Sequence, residues 1–387
     1  MSQLGDRAIM LAKMPKRELI ISGLPAGTTV IGGANGTVSF RPPTEQRVIP
    51  VQIGVWPSEL PTPWGTGPTA MLTFKVLDLL RCTTRYFFIE SWLAGKTDGW
   101  VLGLPVIEYL ATGPELCWQP RNANVARWLS ELAGVGLACY AMELCGAANI
   151  CLGNKGTSGP DYRCQISVKG KLRDVAFECK GSSTRSGLTA QIQAAGDQVG
   201  TYKNRGKLGI ISAACIPPVG TRDRPRLFLS DPPVDDEFEV SPFQQDIASL
   251  AVAIAWAGEP GLAHDLASTV VSLGESTRED PSSIYLPERT AFERLHKKSR
   301  ELSQSLGALA KRAEPRTVLP SDGGRLMVIP PVENIQQLAR LLEQETEGVR
   351  RFRVRPAEQT IVGPADYMSI APDGSAMIWE PNQAAMR

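Results

Sequence analysis

Between Pro160 and Gly181 the chain reads PDYRCQISVKGKLRDVAFECKG. Two runs rich in apolar residues, Tyr162–Val168 and Leu172–Lys180, flank Lys169-Gly170-Lys171, and this spacing predicts two antiparallel strands joined by a tight turn. Side chains alternate across a strand. Val175, Phe177 and Cys179 are therefore expected to face a core, while Ala176, Glu178 and Lys180 share the other side. That pattern holds a carboxylate and an ammonium side by side on a rigid element. Asp161 stands where the first strand begins, and pairing of the two strands would bring it alongside Glu178.

Outward from this hairpin the pattern stays regular. Asn122 to Gly146 reads as a helix, with Val125, Leu129, Leu132 and Leu137 at roughly helical spacing behind an asparagine able to cap it. A short apolar strand, Ile150–Leu152, and a loop rich in Gly, Asn, Ser and Pro lead into the hairpin. After it, Leu188 to Lys203 reads as a helix and Leu208–Cys215 as a buried strand. The order is helix, two hairpin strands, helix, strand.

Two carboxylates on adjacent strands match the needs of Mg²⁺, which takes one or two protein carboxylates and completes its shell with water and substrate phosphate. Beside such an ion, Lys180 would orient or help deprotonate an attacking water and offset the charge of the transition state.

The segment resembles the PD-(D/E)XK, or restriction-endonuclease-like, nuclease superfamily. The family's motif is present as Pro160-Asp161 followed by Glu178-Cys179-Lys180, within the matching order of elements. The resemblance covers about 90 residues of the 387. It implies an α/β fold with a mixed sheet flanked by helices and a Mg²⁺- or Mn²⁺-dependent endonuclease acting on DNA. Asp161 and Glu178 would hold the metal with help from the carbonyl of Cys179, and Lys180 would be the catalytic lysine. Members often add an acidic residue from the preceding helix, for which Glu131 and Glu143 are the candidates; Glu131, on the helix body, is preferred. A glutamine on the following helix often accompanies the motif, and Gln191 and Gln198 share a face there. Lys203, Arg205 and Lys207 stand next as residues able to touch phosphates. Cutting both strands needs two such sites, which a homodimer would supply, and the reading leaves room for a partner protein. Restriction, repair or defence against phage is the wider role implied.

Composition bounds the alternatives. With 387 residues and 43% hydrophobic content the chain can bury a core in two or three domains. No secretory leader and no uninterrupted membrane-spanning run is read, so a cytoplasmic protein without membrane contact is expected. The eight cysteines include no C-x-x-C pair and are expected as reduced, buried thiols. Only two histidines are present, His264 and His296, which disfavours a structural zinc site or a serine–histidine–acid triad. Net charge is +1, yet Cys151 to Arg226 carries thirteen Lys and Arg against five Asp and Glu. Such a local excess suits a polyanionic partner.

The expected organisation is an N-terminal α+β region over 1–118, a nuclease-like core over 119–226 and a mainly helical region over 227–387 ending in a polar tail. A helix is expected near Ala70–Leu80. The early tryptophans Trp56, Trp64, Trp92 and Trp100 read as core. Arg350 to Arg355 alternates basic and apolar residues, as an edge strand would, whether for protection by charge or for touching nucleic acid. Two other readings stay open: a non-catalytic nucleic-acid-binding module, against which the joint presence of Asp161, Glu178 and Lys180 argues, and a structural or assembly protein in which the motif is incidental.

Overall fold

The hairpin forms with strands Tyr162–Val168 and Lys171–Ser182, and Gly170 takes the positive φ of 75° that its turn requires. The computed structural model describes residues 18–19, 30–31, 45–96, 103–153, 161–200, 208–231, 241–272, 285–357 and 367–381, apart from positions 104, 112, 120–122, 169, 313, 322–323 and 345.

In chain order the strands are β1 (Glu18–Leu19), β2 (Val30–Ile31), β3 (Gln46–Ile53), β4 (Met71–Lys75), β5 (Cys151–Leu152), β6 (Tyr162–Val168), β7 (Lys171–Ser182), β8 (Leu208–Cys215), β9 (Arg226–Ser230), β10 (Arg316–Ser321), β11 (Gly324–Ile329), β12 (Met368–Ile370) and β13 (Ala376–Pro381). The α-helices are α1 (Val76–Cys82), α2 (Ile89–Leu93), α3 (Pro105–Glu108), α4 (Ala123–Leu144), α5 (Arg185–Gly200), α6 (Pro242–Trp256), α7 (Pro260–Ala267), α8 (Glu288–Arg312) and α9 (Val332–Gln344).

A seven-stranded mixed sheet runs β4-β3-β9-β8-β7-β6-β5, with β7–β8 and β3–β9 parallel and the other pairs antiparallel. Parallel neighbours cannot be joined by a tight turn, and α5 belongs to the crossover from β7 to β8. Strand β8 (Leu-Gly-Ile-Ile-Ser-Ala-Ala-Cys) is apolar on both faces because both are covered. Ile210 and Ala214 join the main core with Leu137 and Cys139 of α4. Ala213 and Cys215 pack with Leu188 and Ile192 of α5, and Ile211 with Ala195. The sheet is an α/β layer flanked by helices, as expected, and its strands β3 and β4 come from the first 118 residues.

Helix α4 lies very close to the end of β7. A Cβ on Gly134 would stand 2.8 Å from the carbonyl oxygen of Lys180, and one on Gly181 would collide with the carbonyl of Ser130 and come within 2.7 Å of the Cα of Glu131. Glycine at both positions lets helix and strand backbones touch.

Two buried guanidiniums fasten the C-terminal part to this core. Arg81 forms a two-pronged pair with Glu143, which also accepts from the Tyr86 hydroxyl at 2.9 Å, and the Arg81 Nε donates to Ser369 at 2.7 Å. Arg85 pairs with Asp373 and donates to Ser375. Glu143 is thus a structural partner of Arg81.

Three expectations are corrected. The helix placed near Ala70–Leu80 begins only at Val76. Before it, Met71–Lys75 is a strand, because alternating Leu72 and Phe74 find partners opposite Ile49 and Arg47 on β3. The polar tail contains β12 and β13, which complete a four-stranded antiparallel sheet ordered β10-β11-β13-β12 within the mainly helical C-terminal part. Arg350–Arg355 is no edge strand. Thr346–Arg351 is a 3₁₀ helix whose threefold repeat buries Val349 and Phe352 together.

All eight cysteines are free thiols, seven of them buried. Trp64 and Trp92 are core residues and Trp56 packs edge-on to Trp64 at 5.2 Å; Trp100 lies outside the described residues. Among the described residues no helix is long and apolar enough to cross a membrane.

Candidate active site

The register of the hairpin places Tyr162 opposite Phe177, so the next position outward, Asp161, meets Glu178. The two aromatic rings stack at 5.4 Å beneath this junction and stiffen it. The carbonyl of Asp161 accepts from Gly153 at 2.9 Å, its main-chain N–H donates to Glu178 Oε2 at 2.8 Å, and its Oδ2 lies 3.4 Å from the N–H of Cys179. Lys180, two residues along β7 and on the same face, donates to Glu178 Oε1. Asp161, Glu178 and Lys180 are therefore gathered in one place.

Their setting is drier than an open strand face. Glu178 lies opposite Ile211, which packs under α5, and its side chain is 0% exposed while that of Lys180 is 22% exposed. Burial pushes the Glu178 carboxyl up to about 8; the nearby charge of Asp161 adds to this, and Lys180 opposes it. For Lys180, burial alone would lower the pKa, but the negative charges of Asp161 and Glu178 outweigh it and hold the ammonium above its ordinary value. Glu178 and Lys180 thus share a proton-rich, poorly hydrated junction. Cys179 turns to the other face, where its thiol meets Cys139 of α4 and burial raises its pKa.

The donors that converge here are oxygens. Within a strand the N–H and C=O of one residue point the same way, so the carbonyl of Cys179 is directed to the side on which its N–H meets Asp161. On α5, which packs against this side of the sheet, Oε1 of Gln191 is buried and has no hydrogen-bond partner among the described residues. A buried carbonyl oxygen without a partner is costly unless something else satisfies it. Among the described residues no cluster of three or more His, Cys, Asp and Glu side chains is assembled for a metal. Two carboxylates and a main-chain carbonyl form a hard donor set, which fits Mg²⁺ or Mn²⁺ and not zinc.

Glu131 sits on α4 with its Cα against Gly181, one residue beyond Lys180, and its carboxylate pairs with Arg127 at 3.4 Å. The structure brings its backbone to the site and gives its side chain a surface partner. Gln193 is exposed. Lys203, Arg205 and Lys207 lie outside the described residues. Part of the basic excess is taken up within the protein, since Arg163 is buried and the partly exposed Arg173 pairs with Glu59 at 3.6 Å.

Sequence reading missed a polar chain on the same sheet face. Asp174, four residues before Glu178 on β7, accepts from Gln165 at 2.9 Å. Asn149 donates to Gln165 at 3.1 Å and to Asp246 of α6 at 2.8 Å, and Arg353 stands 3.9 Å from the other oxygen of Asp246. These residues come from four separate stretches of chain, and only the fold brings them together.

Comparison of the chain with family models, with curated proteins and with solved structures finds no match in any of the three. The chemistry is accordingly read from the chain's own residues.

Proposed function

We propose that this chain is a metal-dependent nuclease that hydrolyses phosphodiester bonds in DNA through a restriction-endonuclease-like core. The observation that carries the reading is the cross-strand junction in which Asp161 and Glu178 meet with Lys180 beside them. Asp161, Glu178 and the carbonyl of Cys179 would hold Mg²⁺ or Mn²⁺. When bound, such an ion supplies Lewis-acid stabilisation of phosphate charge and a more acidic water. To act as a ligand Glu178 would give up both its proton and its hold on Lys180. Lys180, its ammonium freed, is then placed to orient the attacking water and to offset negative charge on the phosphoryl oxygens. Gln191 offers its unpartnered oxygen to the water or to the metal shell, and α5 shields the reacting atoms from bulk solvent.

The test is Mg²⁺- or Mn²⁺-dependent cleavage of plasmid and linear DNA by the wild type, Lys180→Ala and Asp161→Ala, with circular dichroism to verify folding. Cleavage by the wild type and its loss in both folded variants is the expected result. Equal behaviour of all three proteins would remove the assignment and favour a binding role.

A further inference from the structure

The run Arg350-Arg351-Phe352-Arg353-Val354-Arg355 does not belong to the candidate site, yet it is held with unusual definition for a charged surface segment. Val349 and Phe352 are fully buried and anchor it. The side chain of Asn334, itself buried on α9, accepts from the N–H of Arg355 at 2.9 Å and donates to its carbonyl at 3.1 Å. Arg353 folds back onto the carbonyls of Arg350 and Phe352 and turns toward buried Asp246. This leaves Arg350, Arg351 and Arg355 exposed on a fixed backbone. Among the described residues none of the three forms an ion pair. The Arg350 guanidinium instead lies 4.4 Å from the ring centre of Phe292 on α8, which fixes its plane while leaving its donors open.

We infer that this platform, Arg350, Arg351 and Arg355 with Phe292 beneath, binds the phosphate backbone of a nucleic acid. Three exposed guanidiniums on one ordered segment suit a row of phosphates, because each can donate two parallel hydrogen bonds to a phosphate group. An anionic lipid surface fits less well, since a membrane-lying segment presents apolar side chains outward and here Val349 and Phe352 point into the core. The platform is also joined to the candidate site. Arg353 leads through Asp246, Asn149 and Gln165 to Asp174, on the same face of β7 as Glu178 and about 13 Å along the strand from it. Binding at the platform does not require the candidate site to be catalytic.

The experiment is fluorescence anisotropy of a labelled 20-base-pair duplex in EDTA, over a salt series, with the full chain. The triple variant Arg350→Ala/Arg351→Ala/Arg355→Ala is expected to bind about tenfold or more weakly than the wild type. The slope of log affinity against log salt should fall in magnitude by about 2 to 3, since each phosphate left without its arginine lowers it by about 0.9. Lys311→Ala/Arg312→Ala, at an exposed point about 30 Å further along α8, should bind as the wild type does. A folded triple variant with unchanged binding and slope overturns the inference, as do absence of binding by the wild type and an equal loss in the control. A larger loss on phosphatidylserine vesicles than on DNA would assign the platform to lipid instead. All readouts are metal-free, so failure to cleave DNA would count against the catalytic reading alone.

Discussion

The main-chain N–H of Asp161 donates to the Glu178 carboxylate at 2.8 Å although the two are seventeen residues apart. Because this hydrogen bond uses backbone on one side, the Asp161 side chain can be changed without breaking it. Asp161→Asn should keep its circular dichroism and melting temperature close to wild type while metal-dependent cleavage falls at least about 100-fold. Retention of cleavage in the folded variant would show that the carboxylate does not take part.

Gln191 should separate from Asp161 in its signature. Its buried oxygen has no partner among the described residues, so Gln191→Ala removes a polar atom that contributes little to folding. Stability should change by less than about 1 kcal/mol, and cleavage should drop about tenfold. A large fall in the urea midpoint with full activity would make Gln191 a packing residue.

The close approach of α4 to β7 gives a prediction about folding. Gly181→Ala would push a methyl group into the carbonyl of Ser130 and the Cα of Glu131, both backbone and unable to swing aside. The expected cost is about 3 kcal/mol or more, read from chemical denaturation. Gly261→Ala, where nothing stands within 4 Å of the added Cβ, is the matched control and should be nearly neutral or mildly stabilising.

Asp246 sets a pH dependence of stability. Burial raises its carboxyl to about 7, against the pull of its hydrogen bond to Asn149 and the charge of Arg353. Between about pH 4 and 7 the folded protein keeps a proton that the unfolded chain has released, so stability falls as pH rises through that window and levels off above it. The slope from this group is on the order of 1 kcal/mol per pH unit. Asp246→Asn should remove it, so that the variant gains on the wild type from pH 4 to 7 and by a constant amount beyond. A difference that does not vary with pH would mean that Asp246 is ionised in the folded state.

Much of the central layer was legible in the residues. Strands Tyr162–Val168 and Leu208–Cys215 appear at the boundaries that their apolar patterns predict, because each carries its own turn or glycine punctuation. Asp161 and Glu178 were brought together by register, a local property of a hairpin. The depth of the site was not legible, since Glu178 is enclosed by α5, and that packing is written in Leu188, Ile192 and Ala195 jointly with β8. The pairing of the C-terminal sheet was not legible for a related reason: Ser321 and Gly324 close one hairpin, but β11 finds its other partner across more than forty residues in β13. At Arg350–Arg355 the twofold spacing of Phe352 and Val354 competed with the threefold spacing of Val349 and Phe352, and burial of the latter pair decided the backbone.

The buried guanidinium of Arg85 has its acidic partner 288 positions later, at Asp373. During synthesis at roughly 5–20 residues per second, that charge waits on the order of tens of seconds for the carboxylate that pairs with it. Closure of the interior is therefore timed by the emergence of Asp373 from the ribosome, and nascent chains stalled before it should be readily digested by protease. The pairing that steadies the folded protein also delays its maturation until the strands on either side of Asp373 have been made.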